Sequence, residues 1–221
     1  QTVQRCVGDA LDPEQFQHRY CVGGVDLSQS TDLTSACVVI ESKGELYVLQ
    51  HFWMPQARVD IGTEDDNVPY RQMIQKGFLS VSGDNYVDYN DVFMWFRNLV
   101  EKYEILPLQV GYDKWCATYF VEQMRQYGFH MDDVYQGENL TPVIHEMDGL
   151  LRDKTLLLGD NNLLKAHFLN VGMKQNEETR KIRPVKIDPR CHIDGFVAVI
   201  DALTVRQKWY DQIGDQLKNT E

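Results

Sequence analysis

The sequence predicts an α/β domain: a mixed sheet, part antiparallel meander and part parallel strands, flanked by helices. Three observations predict it. Apolar, β-rich stretches at 21–28, 35–42 and 45–53 follow one another across short turns, as in a meander. From about residue 70 onward, segments of helical periodicity alternate with short apolar runs. Three of the apolar segments meet an aspartate at one end: Asp26 closes Val22-Gly23-Gly24-Val25, Asp113 closes Leu106–Tyr112, and Asp194 opens an apolar helix.

Residues 1–20 are polar and read as a lead-in or linker, leaving 21–221 as one domain. Lys43-Gly44 turns the second strand into the third, and Pro55 ends the meander. Residues 56–69 are polar without periodicity and are expected to be irregular. A short helix is expected from Tyr70 to Gln75, stopped by Gly77, then a brief strand at 78–81. Val92, Phe93, Phe96, Leu99, Val100 and Tyr103 fall at helical spacing after Tyr89-Asn90-Asp91. A strand at 105–112 leads to a helix from Lys114 to Tyr127, closed by Gly128. A weak strand at 131–135 precedes a helix opened by Thr141-Pro142, proline being favoured in a first turn. Residues 156–158 are short and apolar, and 161–170 read as helix. Strands at 171–173 and 184–187 flank a basic stretch, and a last helix runs from about Ile193 to Trp209.

Hydrophobic content of 43% over 221 residues is enough to bury a full core without disulfides. The five cysteines show no paired spacing, which argues against a disulfide framework or structural zinc and for a reducing compartment. No apolar run approaches the ~20 residues of a membrane span, and no secretory signal is present. The start at Gln1 rather than Met predicts a fragment or a processed chain. The net charge of −11 weighs against a tight, non-specific nucleic-acid binder, whose affinity comes from neutralising phosphates. It leaves room for an enzyme that meets DNA through a local basic patch. Lys174, Arg180, Lys181, Arg183, Lys186 and Arg190 supply such a balance between 174 and 190, although a solvated loop reads the same way. No G-x-x-x-x-G-K-[ST] phosphate loop occurs.

A lone buried carboxylate is costly unless paired, hydrogen-bonded or bound to a cation. Three acids delivered by separate core elements suit a divalent-metal site, because hard cations prefer carboxylate oxygens. Two such cations about 4 Å apart activate water and stabilise a leaving oxygen in phosphodiester hydrolysis. Asp26, Asp113 and Asp194 are therefore the expected catalytic acids and metal ligands, with Asp26 bridging. Taken singly each has a structural reading: a turn residue, the cap of the following helix, or an acid favoured at a helix N-terminus. Asp32 is a fourth candidate ligand, with turn chemistry as its alternative. Asp201 follows Asp194 by seven residues, two turns along one helix face, and reads as a polar-face residue or a distant outer-sphere group. His192 and Lys114 are candidates for phosphate contact. His51, His145 and His167 are not spaced as a metal-binding pair. Tyr112, Trp115, Tyr119 and Phe120 read as packing, and as a base-stacking platform only if exposed.

With these residues in place, the chain resembles the nuclease domain of tailed-bacteriophage terminase large subunits. The likeness rests on Gly24-Val25-Asp26-Leu27-Ser28 followed by Thr31-Asp32-Leu33-Thr34, and on Val68-Pro69-Tyr70 and Val87-Asp88-Tyr89. It continues through Gly111-Tyr112-Asp113-Lys114-Trp115 and Ile193-Asp194-Gly195-Phe196-Val197-Ala198. It covers roughly residues 20–205 in order. The resemblance implies an RNase H-like fold and a Mg2+- or Mn2+-dependent endonuclease, with two ions, that cuts concatemeric viral DNA during packaging. It further implies double-stranded DNA as substrate, an N-terminal ATPase motor in the intact polypeptide, and a small terminase subunit and portal as partners, in the cytoplasm of an infected bacterium. Asp26, Asp113 and Asp194 match the family's metal-binding acids, and Asp32 matches an extra acid of some members. His192 stands where a Lys commonly precedes Ile-Asp-Gly, and Lys165 and His167 replace an Arg-Trp pair. Lys165, Arg180, Lys181 and Arg183 complete the expected DNA contacts.

Other readings are a resolvase- or transposase-type nuclease, an actin-like phosphotransferase, and a non-catalytic docking module of a packaging motor. The phosphotransferase lacks its glycine in Asp26-Leu27-Ser28-Gln29-Ser30-Thr31 and a second Gly-rich loop. The intact acid triplet speaks against the docking module.

Overall fold

The structure is a computed structural model that describes residues 2–28 and 33–218. Strands β1 (Tyr20–Asp26), β2 (Thr34–Ser42) and β3 (Glu45–Met54) form the expected antiparallel meander, with Val22 opposite Val39 and Val38 opposite Leu49. Helices α1 (Gln56–Asp66) and α2 (Tyr70–Gln75) lead to the short β4 (Leu79–Val81), parallel to β3. Helix α3 (Tyr89–Tyr103), β5 (Leu106–Asp113), α4 (Thr118–Tyr127) and β6 (Met131–Val134) follow, and β5 is parallel to both β1 and β6. Helix α5 (Thr141–Asp153), β7 (Leu156–Leu157) and α6 (Asn162–Leu169) precede a hairpin of β8 (Val171–Gln175) and β9 (Ile182–Lys186). Helix α7 (Asp194–Leu217) ends the described chain. The main sheet runs β4-β3-β2-β1-β5-β6, with β7 added beside β3. This is the mixed sheet, part antiparallel meander and part parallel strands, that the sequence predicts, and its order agrees with the RNase H-like fold that the resemblance implies.

Side chains alternate across the sheet, as a strand's two-residue period requires. Val22, Cys37 and Phe52 face a core shared with α5, α6 and α7, while Cys21, Val25, Ala36 and Val38 face the core under α3 and α4. Helix α7 lies across β1, β2 and β5 and buries Phe196, Val199, Ile200 and Leu203. Each such side chain stabilises the fold by roughly 1.5–3 kcal/mol. Two glycines permit this close seat. A Cβ on Gly24 would collide with the Ala198 carbonyl oxygen, and one on Gly111 with that of Asp201. At the far end, Arg206 pairs with Glu41 at 2.7 Å and Glu146 at 3.0 Å, fixing the helix lengthwise. The segment before β1 also packs down: Cys6 and Phe16 are buried, and the Cys6 thiol donates to the Leu151 carbonyl.

Three local expectations fail. Residues 56–66 form α1 rather than irregular chain; only Val59 and Gly62 are buried there, so the helix carries no apolar stripe for a periodicity reading to find. Helix α4 begins at Thr118, not Lys114, because Asp113 closes a tight turn instead: its carbonyl accepts from the Cys116 amide at 2.7 Å and its Oδ1 from the Trp115 amide at 3.1 Å. Helix α7 runs to Leu217, eight residues past Trp209, through a largely polar stretch.

Candidate active site

Strand parity decides which way the first two acids point. On β1, Val22 and Gly24 face α7, so Asp26, two residues on, emerges on the same side. On β5, Gly111 meets α7, so Asp113 does too. The strands are parallel neighbours with Val25 opposite Tyr112, which sets Asp26 beside Asp113 at their C-terminal ends. Helix α7 passes Gly24 at Ala198, one turn after its first residue, so Asp194 starts the helix at this same end of the sheet.

The acids feel one another. Burial raises the Asp26 carboxyl well above the usual carboxylate range, Asp194 and then Asp113 push it further, and Lys186 opposes them. Burial also works against ionisation of Asp194. The His192 ring beside it outweighs that and holds Asp194 below its ordinary value. Asp194 Oδ2 is buried and makes no hydrogen bond. Buried carboxylates that raise one another's pKa suit a divalent cation, whose charge would relieve the repulsion. Among the described residues, no three His, Cys, Asp or Glu side chains stand at mutual chelating distance. Repelling carboxylates share a field here rather than a closed cage.

Asp194 is set by a relay that sequence reasoning missed. His192 is buried, with Nδ1 3.5 Å from Asp194 Oδ2 and Nε2 3.1 Å from Asp66 Oδ2. Asp66, at the end of α1, also accepts from the Tyr70 hydroxyl at 2.8 Å. Burial lowers the His192 pKa, but Asp194 and Asp66 on either side outweigh it and raise it. His167 lies parallel to His192, with ring centroids 6.2 Å apart. Its Nδ1 accepts from the Gly195 amide at 2.9 Å, and burial lowers its pKa to about 4, so the ring is neutral and steadies the start of α7.

Asp201, read from the sequence chiefly as a polar-face residue, is completely buried where α7 crosses β5. Burial raises its pKa well above the carboxylate range, Asp26 adds to this, Gln136 opposes it by donating to Oδ1 at 2.5 Å, and Asp113 raises it again. Its spacing from Asp194 was legible; its burial was not, because α7 is apolar around most of its first three turns.

The expected DNA contacts are scattered. Lys114 is exposed beside Asp113, Lys165 is half-buried on α6, and Lys181 and Arg183 are exposed. Arg180 and Lys181 sit in the turn joining β8 to β9 and Arg183 one residue into β9, next to Glu138, which accepts from Asn176 at 2.7 Å and Thr179 at 3.2 Å. The far end of β9 reaches the acids through Lys186. Asp32 lies outside the described residues.

Solved structures share this fold. The large terminase of bacteriophage HK97 superposes with a TM-score of 0.80 at 21% identity over 92% of this chain. This chain spans 42% of that protein's length. The large terminase nuclease of thermophilic phage G20c with bound magnesium gives 0.58 at 11% identity, covering 92% of this chain and 94% of that one. The g2p nuclease domain of bacteriophage SPP1 with bound manganese gives 0.51 at 13%, covering 90% and 94%. No curated protein matches the chain, and no helix among the described residues is long and apolar enough to cross a membrane. The sequence itself matches the family "terminase large subunit, endonuclease domain" over residues 1–208. Acids on neighbouring parallel strands, a facing helix-start acid and that match agree: the chain belongs to the terminase large subunit nuclease family.

Proposed function

We propose that this chain hydrolyses DNA phosphodiester bonds as the endonuclease of a packaging terminase, cutting concatemeric viral DNA. The observation that carries this reading is the pairing of β1 with β5, which sets Asp26 beside Asp113 while Asp194 presses on Asp26 electrostatically. Asp26, Asp113 and Asp194 would hold two Mg2+ or Mn2+ ions, with Asp32 as an additional ligand. Bound there, the cations supply the charge that activates a water and stabilises the leaving oxygen. Asp26 would be shared between the ions; Asp113 is fixed by the turn it closes; Asp194 is oriented by His192 and, through it, by Asp66. Lys114, Lys165 and the hairpin residues Arg180, Lys181 and Arg183 contact phosphates, whereas His192, first read as a further phosphate contact, is buried with its ring nitrogens facing Asp194 and Asp66.

The phage nucleases of this fold that hold magnesium or manganese support the choice of metal. In the intact protein an N-terminal ATPase domain would precede this chain, with double-stranded DNA, a small terminase subunit and a portal as partners in the cytoplasm of an infected bacterium. The test is incubation of supercoiled plasmid with Mn2+, comparing the chain with Asp26→Ala and Asp113→Ala. Nicking and linearisation lost in both variants is expected. No cleavage by the unaltered chain at high concentration would return it to a docking module, and strand joining on marked ends would favour a resolvase or transposase.

A further inference from the structure

Trp115 is 69% exposed and Tyr119 59%, whereas their sequence neighbours Tyr112 and Phe120 are buried. Exposed aromatic faces beside a candidate active site offer surface on which a nucleic-acid base can lie. The Trp115 amide donates to Asp113 Oδ1, so the backbone that carries the indole is fixed one tight turn from that acid. Lys114 Nζ lies 4.8 Å from the Trp115 ring and 4.9 Å from the ring of Tyr135, itself exposed just past β6. Tyr119 stacks on Tyr89 at 5.9 Å, nearly parallel. An aromatic rim with one ammonium thus borders Asp113.

With net charge −11, phosphate contacts come only from local cations such as Lys114, and stacking on bases adds affinity that does not depend on charge. Bases inside a duplex already have both faces covered, and only a base that has left the stack can lie on an indole. We propose that Trp115 stacks on a base displaced from the duplex beside the scissile phosphate, and that the preferred substrate is DNA carrying unpaired nucleotides at the cut. Lys114 takes the neighbouring phosphate. This rests on the nuclease reading only for the identity of that phosphate.

Binding without cutting separates the two. In EDTA, where no cleavage occurs, a labelled duplex, the same duplex with a central unpaired bubble, and the single strand are titrated at low salt. The intact chain, Trp115→Ala and Trp115→Phe are compared. Bubble and single strand are expected to bind about tenfold more tightly than the duplex, the scale of one base stack. Trp115→Ala erases the difference and Trp115→Phe keeps most of it. Acrylamide quenching of indole emission falls when the intact chain binds the bubble and stays constant in Trp115→Phe, which decides the matter even if Trp115→Ala folds poorly. Equal affinity for bubble and duplex, or a preference that survives Trp115→Ala, overturns the stacking role. Plasmid cleavage in Mn2+ is read separately: cutting without a bubble preference sinks the stacking alone, and a Trp115-dependent preference without cutting sinks the nuclease.

Discussion

Asp66 Oδ2 lies 3.1 Å from His192 Nε2, joining the end of α1 to the loop that carries Asp194. One carboxylate thereby fixes the ring that faces a proposed metal ligand. Partners one step removed from a metal ordinarily matter by about 10–100-fold in affinity or activity. Asp66→Asn is therefore expected to raise the Mn2+ concentration needed for half-maximal plasmid cleavage by about tenfold. Saturating Mn2+ should recover most of the rate. An unchanged Mn2+ curve would show that Asp66 only stabilises α1.

The contrast between Asp201 and Asp26 gives a second test. Both carboxyls are raised by burial, yet Asp201 is sealed between α7 and the sheet with Gln136 as its donor. A carboxyl raised in the folded state contributes stability that is present in full below its unfolded value, and that is lost as pH rises through the folded value. Asp201→Asn should accordingly raise the melting temperature at pH 8 relative to the parent, lose that gain toward pH 4, and keep cleavage within a few-fold. Asp26→Asn should show the same stability trend and no cleavage. Loss of cleavage in Asp201→Asn at normal stability would make Asp201 part of the chemistry.

Metal should close the gap that charge repulsion opens. A ligand at about 100 times its dissociation constant stabilises by about 2.7 kcal/mol, which for a chain of this size is a rise of roughly 5–10 °C. Mn2+ is expected to give that rise at pH 8 and much less at pH 5, where protons compete for the acids. Differential scanning of the parent and Asp26→Asn checks it, since the variant should lose the shift.

How much of this was legible in the chain follows from the same residues. The acids at strand ends could be read because Asp26 and Asp113 each close an apolar run; that they emerge on one face comes from the pairing of β1 with β5. Asp66 could not, because α1 has no apolar stripe and its carboxylate reaches the site through a partner 126 residues away. Trp115 reads as core in any window of hydrophobic sequence; its exposure comes from the turn that Asp113 closes.

Gly24 tests whether the seat of α7 governs the site. A methyl there collides with the Ala198 carbonyl and must push the helix away from β1. Gly24→Ala is expected to lower stability by about 3 kcal/mol, at the upper end for overpacking, read as a shift in the urea midpoint. Cleavage should fall in the fraction that remains folded, because Asp194 moves with the helix.

Charge on the hairpin should separate into two effects. Lys186, at the end of β9, opposes the rise in the Asp26 pKa, whereas Arg180, Lys181 and Arg183 sit at the turn end of the hairpin beside Glu138. Reversing Arg180, Lys181 and Arg183 to Glu should lower cleavage at fixed Mn2+ and flatten its dependence on salt, by about one in slope for each phosphate that is no longer neutralised. Metal affinity should stay the same. Lys186→Gln should leave the salt slope nearly intact and move the alkaline shift of Asp26 further up, so that cleavage requires higher pH. A pH–rate profile for each variant, taken with a Mn2+ titration, distinguishes them; if Lys186→Gln leaves the profile in place, its charge does not reach the acids in solution.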